Sequence, residues 1–201
     1  MTKFNLVRHG KRNGGIGDAG LSDVGRIQAR ATARYLRDRV LAQVYASPLK
    51  RAKETAEIIA AVHGLAVVED TRLRERANWG DVPGQSFAEF IAMWERTTHD
   101  PTYLPPVGDS AAQAGARLAS FIRDTARSDP HGEIVAVTHG RIVDRFSHPC
   151  VLRGGTGAMA SFLYRESEPP DRGMFGHCSR VRWSAVNLDI MCRDGSSDVG
   201  M

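Results

Sequence analysis

Two short apolar runs, Phe4-Asn5-Leu6-Val7 and Ile134-Val135-Ala136-Val137, each lead straight into a histidine followed by a glycine. Arg8-His9-Gly10 follows the first and Thr138-His139-Gly140 the second. Runs this short, rich in β-branched residues and free of charge suit strands buried on both faces, as at the centre of a parallel sheet. In open α/β sheets ligands lie beyond the carboxyl ends of the strands. Both histidines fall at such ends, so the pair constrains the chain to an α/β fold and suggests a phosphate site between the two motifs.

The stretch between them supplies the remaining elements. Val44-Tyr45-Ala46 and Ala66-Val67-Val68 read as two further strands. Ser47 reads as a helix cap and Pro48 suits a first helical turn, with that helix expected to stop near Gly64. Arg51 then stands at the positive end of the helix, where free N–H groups and the macrodipole favour anions and a guanidinium adds a fork matched to phosphate oxygens. Arg8 offers a second fork.

A helix beginning near Ser22 carries Arg26, Arg30, Arg34 and Arg37, with Val24, Ile27, Ala31 and Tyr35 expected as its buried apolar stripe. Helices are also expected from Ser86 and Ser110, where Glu89 and Gln113 complete capping-box spacings. That spacing makes Glu89 structural. In the Ser86 helix Phe87, Phe90, Met93 and Trp94 are helically spaced, and Phe90 is assigned to the core. Residues 100–108 read as an ordered loop or lid. The glycine-rich residues 14–20 lack the Gly-Lys-Ser/Thr ending of a nucleotide-binding loop and are expected to form a mobile rim of the pocket. Strands alternating with helices predict a three-layer α/β/α sandwich on a mostly parallel sheet.

Composition bounds the rest. With 201 residues, 42% of them hydrophobic, the chain is long enough for one compact domain spanning 1–201. Its net charge of +4 comes from 23 arginines against four lysines, with no lysine-rich run and no interleaving of aromatic and basic residues. Small anionic substrates account for that balance, and nucleic acid is not expected as a partner. No stretch approaches the roughly 20 apolar residues of a membrane span, and the start of the chain has no apolar segment of secretory length. A cytoplasmic protein that does not engage a membrane is the expectation. Cys150, Cys178 and Cys192 match neither a disulfide framework nor paired zinc ligands, although His148 and His177 lie near two of them, so no metal site is expected.

Taken in order, the motifs resemble the histidine phosphatase superfamily, which includes the phosphoglycerate mutases and many broad-range phosphatases. The resemblance rests on Leu6-Val7-Arg8-His9-Gly10, on residues 21–29, on Ser47-Pro48-Leu49-Lys50-Arg51-Ala52 with Thr55-Ala56, and on Thr138-His139-Gly140. Leu73-Arg74-Glu75-Arg76 before Trp79-Gly80 is similar to the family's segment bearing a proton-donating carboxylate.

The resemblance implies a phosphoglycerate mutase-like fold and a phosphomonoesterase acting through a phosphohistidine on a small phosphorylated molecule, with no metal or cofactor. Neutral His9 would attack phosphorus through one ring nitrogen, its other nitrogen held by an acceptor. Arg8, Arg51, His139, Gly140 and Asn13 would bind the phosphate, with His139 counted also among the catalytic groups. Glu75 would protonate the leaving alcohol and then take a proton from water, its pKa raised by the substrate's negative charge. Asp81 is the substitute donor, because Arg74 and Arg76 flank Glu75 as in a surface ion pair. The alternatives are a mutase-type phosphotransferase, which the short chain disfavours, and a phosphate-binding protein without catalysis.

Two departures stand out. Arg12 occupies the place where many members carry a small hydroxyl residue, and Asn13 arrives early. After Gly140, residues 141–149 are too polar for the apolar helix usual in relatives and end at Pro149, so 141–201 is atypical of the family. Within it, residues 154–157 and 168–171 read as loops and 181–188 as a late strand.

Overall fold

The computed structural model describes residues 1–140 together with the backbone of two later strands, Met159–Tyr164 and Arg182–Ser184. Along the chain run β1 (Thr2–Arg8), α1 (Asp23–Leu36), β2 (Gln43–Ala46), α2 (Lys50–His63), β3 (Val67–Glu69), α3 (Phe87–His99), α4 (Ala111–Ser128), β4 (Glu133–Thr138), β5 (Met159–Tyr164) and β6 (Arg182–Ser184). The strands form one sheet in the order β3-β2-β4-β1-β5-β6. The four from β3 to β1 are parallel, and β5 pairs antiparallel to β1 and β6 to β5.

Side-chain alternation along the strands divides the core in two. Phe4, Leu6, Ile134 and Ala136 face α4 and pack with Leu118, Phe121 and Ile122. Val7, Val135 and Val137 face the opposite way and pack with Ala33 and Leu36 of α1 and Ala52, Ala56 and Ile59 of α2. Helices therefore cover both faces, which makes the three expected layers. Burying a side chain such as Phe4 or Phe121 completely contributes about 1.5–3 kcal/mol.

The register of β1 on β4 positions the pocket. Phe4 lies opposite Ile134 and Arg8 opposite Thr138, so the next residues, His9 and His139, emerge side by side at one end of the sheet. The His9 N–H donates to the Thr138 carbonyl at 3.0 Å and continues the ladder one residue past the strand.

Several local expectations are corrected. In α1 the buried face consists of Gly25, Gln28, Ala29, Ala31, Thr32, Ala33 and Leu36, while Val24 and Ile27 are 50% and 54% exposed and Tyr35 is also exposed. Gly25 turns inward because the chain after His9 lies directly on it. Ser22 Oγ and the Ser22 N–H both donate to the Lys11 carbonyl, and a methyl group at Gly25 would collide with that same oxygen. Phe90 is only half-buried and leans on Trp94, with Met93 and Thr97 the buried residues of α3. The capping boxes of Ser86 with Glu89 and Ser110 with Gln113 are both present.

The glycine-rich rim is pinned rather than loose. The Gly17 N–H donates to the Trp79 carbonyl at 2.8 Å, and Arg12 donates to the Gly15 and Gly17 carbonyls. Residues 100–108 form an ordered loop in which Pro105 is buried, and the Asp109 N–H just beyond them meets the Arg76 carbonyl at 2.7 Å. β5 is an element the sequence reading lacked, and β6 covers part of the expected late strand. The polar segment 141–149, the loops at 154–157 and 168–171, and the three cysteines with His148 and His177 lie outside the described residues. Among the described residues no helix is long and apolar enough to cross a membrane.

Candidate active site

His9 follows β1 with its ring fixed at both nitrogens. Nδ1 lies 2.7 Å from the Gly10 carbonyl oxygen, and Arg51 Nε lies 3.1 Å from Nε2. A carbonyl only accepts, so Nδ1 carries the proton and Nε2 keeps a lone pair, onto which Arg51 donates. Gly10 is itself held, since its N–H donates to Thr55 Oγ1 at 3.1 Å and Thr55 donates to the Arg51 carbonyl at 2.7 Å. A side chain at Gly10 would strike the Gly25 carbonyl. Thr55 thus joins the nucleophile-like histidine to the arginine one helical turn away.

Burial drives the His9 pKa down to about 3, the Gly10 carbonyl opposes this, and Arg51, Arg8 and Arg12 push it lower. His139 is fully buried and its pKa falls well below the usual histidine value, first through desolvation and then through Arg51, His9, Arg117 and Arg8. Both rings are therefore neutral at physiological pH. They meet edge to face with centroids 5.0 Å apart.

Ser47 does not cap α2. Leu49 occupies the cap position and supplies no side-chain bond, whereas Ser47 Oγ lies 2.8 Å from His139 Nε2. The start of α2 is served instead by Asp18, whose carboxylate accepts the Lys50 N–H at 3.0 and 3.2 Å. Arg51, in the first turn, is only 4% exposed. Its Nη1 has no hydrogen-bond partner among the described residues, the nearest carboxylate oxygen of Asp18 standing 3.9 Å away. His139 Nδ1 is a second buried polar atom without a partner there.

Arg8 and Gly140 belong together: a Cβ at Gly140 would sit 3.0 Å from Arg8 Nε, so glycine lets the guanidinium lie against the chain. Asn13 turns its amide to the Leu21 carbonyl at 3.1 Å and its N–H to Gly20, and so serves its own loop.

Glu75 reaches the same cluster from the segment between β3 and α3. Desolvation raises its pKa, against the Arg76 N–H that donates to Oε1 at 3.0 Å and the charges of Arg76, Arg51 and Arg8. The protein alone therefore lifts this carboxyl, before any substrate charge adds to the effect. Its flanking arginines do not form a surface pair with it. Arg74 bonds Asp109 at 3.0 Å, and buried Arg76 donates to the Thr97 and Trp94 carbonyls at the end of α3. The Glu75 segment is clamped by Thr138 Oγ1 on the Leu73 carbonyl at 2.6 Å and by Arg117 on the carbonyls of Arg72 and Arg74 at 2.6 and 3.2 Å. These clamps, like Ser47 on His139, were not apparent from spacing, because each joins residues far apart in the chain.

Asp81 accepts the Asn78 N–H at 2.7 Å and closes a local turn, although its charge is felt at Arg51. Glu89 stays in its capping box, away from the cluster. Among the described residues no three His, Cys, Asp or Glu side chains converge to hold a metal ion. What does converge is two neutral imidazoles, two guanidinium groups and a carboxyl of raised pKa. Such a set can present a lone pair to an electrophile, surround an anion with donors and supply a proton.

Comparison with known proteins agrees with this chemistry. The chain is 33% identical over 150 residues to the phosphatase PhoE of Bacillus subtilis, itself described as uncharacterized, covering 71% of this chain and 74% of that protein. It is 30% identical over 164 residues to the glucosyl-3-phosphoglycerate phosphatase of Mycobacterium tuberculosis, covering 71% and 72%. The solved structure of the mycobacterial glucosyl-3-phosphoglycerate phosphatase with inorganic phosphate superposes with a TM-score of 0.66 at 26% identity, covering 92% of this chain and 96% of that one. Residues 4–149 match the profile of the histidine phosphatase superfamily (branch 1), and the chain belongs to that family.

Proposed function

We propose that the chain is a phosphomonoesterase that hydrolyses a small phosphorylated molecule through a phosphohistidine at His9. The observation that carries this reading is the orientation of His9. The Gly10 carbonyl fixes the proton on Nδ1, so Nε2 offers its lone pair among arginines even in mildly acidic solution.

In the first half-reaction Nε2 attacks phosphorus as the bond to the leaving oxygen breaks, and Glu75 gives that oxygen its proton. In the second, water attacks the phosphohistidine, Glu75 takes the water's proton back, and phosphate leaves with Nε2 restored. One difficult displacement becomes two easier ones. Arg8, Arg51 and His139 would surround the transferring oxygens, an electrostatic contribution that donors already in place supply without reorganisation. Arg51 Nη1 and His139 Nδ1, which lack partners among the described residues, support this, because unprotonated phosphoryl oxygens would accept from both. Gly140 gives Arg8 room to turn, and Asn13 and Arg12 shape the rim. No step calls on a metal or cofactor.

The relatives' names support a small phosphorylated metabolite as substrate. The test is hydrolysis of p-nitrophenyl phosphate from about pH 5 to 8, on either side of the ordinary histidine value, with EDTA present, by the wild type and by His9→Ala. The wild type turns over and His9→Ala does not. Equal rates for both proteins, or loss of wild-type activity in EDTA, would reject the reading.

A further inference from the structure

Ser47 has no place in the chemistry above, yet it is fully buried, follows β2 directly and touches His139. Its N–H is committed to the Val137 carbonyl at 2.9 Å, which fixes the residue against the strand that leads into His139. Its hydroxyl has two neighbours. The Leu49 N–H donates to Oγ at 3.3 Å, and His139 Nε2 lies 2.8 Å from Oγ.

A hydroxyl has one proton to give and two lone pairs. The Leu49 N–H uses one lone pair, and the described residues offer the Ser47 proton a single acceptor, His139 Nε2. Were Nε2 protonated, the Ser47 proton would point at another proton and lack an acceptor, with both side chains fully buried. With Nε2 as acceptor, every side-chain polar atom of the pair has a partner among the described residues except His139 Nδ1. That nitrogen then carries the ring proton, and it is the atom left buried without a partner among the described residues.

We propose that Ser47 is a positioning residue that holds His139 in its Nδ1–H tautomer, by accepting the Leu49 N–H and donating its own proton to Nε2, so that His139 meets phosphate as a neutral donor through Nδ1. What Nδ1–H meets rests on the phosphatase reading. The tautomer does not, since it is set by protein groups alone. Unprotonated phosphoryl oxygens only accept, so the opposite tautomer would turn a lone pair towards them. A charged imidazolium is disfavoured by burial beside Arg51 and Arg8. The arrangement also ties the end of β2 to the end of β4, so the serine that opens the Arg51 segment aligns the second histidine with the first.

The test uses the full chain with 15N-labelled histidine and long-range proton–nitrogen spectra near neutral pH, His139 being assigned by its loss in His139→Gln. The expected wild-type result is a protonated Nδ1 and a lone pair on Nε2. Ser47→Ala should shift the ring towards Nε2–H or a mixture, and Ser47→Thr should restore the wild-type pattern. A wild-type ring protonated on Nε2, or a Ser47→Ala ring unchanged from wild type, overturns the proposal. If Ser47→Ala does not fold, the wild-type spectrum decides alone.

Binding of vanadate and inorganic phosphate gives the second readout. Ser47→Ala should weaken it about tenfold, as loss of one oriented donor does, and should add nothing in a His139→Gln background. An additional loss in that background counts against action through His139. Absence of any phosphate or vanadate binding by a wild type that shows Nδ1–H would remove the phosphatase reading and leave the positioning of His139 by Ser47 standing.

Discussion

Arg51 Nε donates to His9 Nε2 at 3.1 Å, so the arginine rests on the lone pair that the proposed reaction uses. The two sit in register because Thr55, one turn along α2, bonds both the Arg51 carbonyl and the Gly10 N–H. When phosphorus takes that lone pair the bond from Nε must give way, and the guanidinium then faces the oxygens of the group that displaced it. Arginine thus guards the nucleophile and afterwards serves the phosphate.

Arg51→Lys keeps the charge but loses the fork and the planar Nε donor. It should lower kcat/KM by about 10²–10³, the scale for removing an oriented donor to a developing anion. Steady-state kinetics on p-nitrophenyl phosphate measure this, and a lysine variant within a few-fold of wild type would show that charge alone suffices at this position.

The two titrating groups limit activity from opposite sides, His9 on the acid side and Glu75 on the alkaline side. His9 stays neutral down to about pH 3, whereas Glu75 must be protonated to act as the acid and its pKa is raised by desolvation. The first half-reaction should therefore fall off as pH rises through the elevated Glu75 value, with no loss from His9 until strongly acidic solution. Glu75→Gln should flatten the alkaline limb and reduce kcat on substrates with poor leaving groups far more than on p-nitrophenyl phosphate. A pH–rate profile unchanged by Glu75→Gln would transfer the role to another group, with Asp81→Asn the next variant to compare.

Stability depends on pH through the same histidine. Its folded pKa, about 3, lies below the unfolded value of 6.5, so below pH 6.5 the unfolded chain takes up a proton that the folded chain refuses. The contribution is complete above pH 6.5 and is lost progressively as pH falls towards 3, by at most about 1.4 kcal/mol per pH unit. His139 acts in the same direction. Glu75, with a raised pKa, acts oppositely: its contribution is present below its unfolded value and lost as pH rises through the folded one. Since Glu75 is common to both proteins, denaturant unfolding at pH 7 and pH 5 isolates the histidine, and His9→Gln should lose about 1–2 kcal/mol less than wild type between them. Equal losses would mean that His9 is not held neutral by the fold.

Gly25→Ala tests the close approach behind His9. The added methyl group runs into the Lys11 carbonyl, which Ser22 holds with two hydrogen bonds. Overpacking of this kind costs about 1–3 kcal/mol, so the melting temperature should drop and activity should fall with it as Gly10 and His9 shift. A variant as stable as wild type would show that the loop can move away.

The strands and the histidine ends were legible because β-branched runs and a motif at each strand end are local signals. The helix starts were legible where a capping box states them, at Ser86 and Ser110. Other features depend on tertiary partners. The inward face of α1 went unrecognised because hydropathy favours Val24, Ile27 and Tyr35, whereas close packing against Lys11 selects Gly25. Ser47 has the sequence of a cap but finds a histidine 92 residues away. Arg74 and Arg76 look like surface partners of Glu75, but their guanidinium groups reach Asp109 and the end of α3. β5 has Ala160 and Ser161 among its six residues and so lacks the β-branched run that marks β1 and β4.

Phosphorylation of His9 is tested by quenching the wild type during turnover of a phosphorylated substrate at alkaline pH, where phosphohistidine survives, and mapping the protein by mass spectrometry. One phosphoryl group, labile to acid, is expected on the peptide carrying His9 and absent from His9→Ala. Turnover at full rate with phosphate on a different residue, or with no phosphorylated protein even when Glu75→Gln slows hydrolysis of the intermediate, would contradict it.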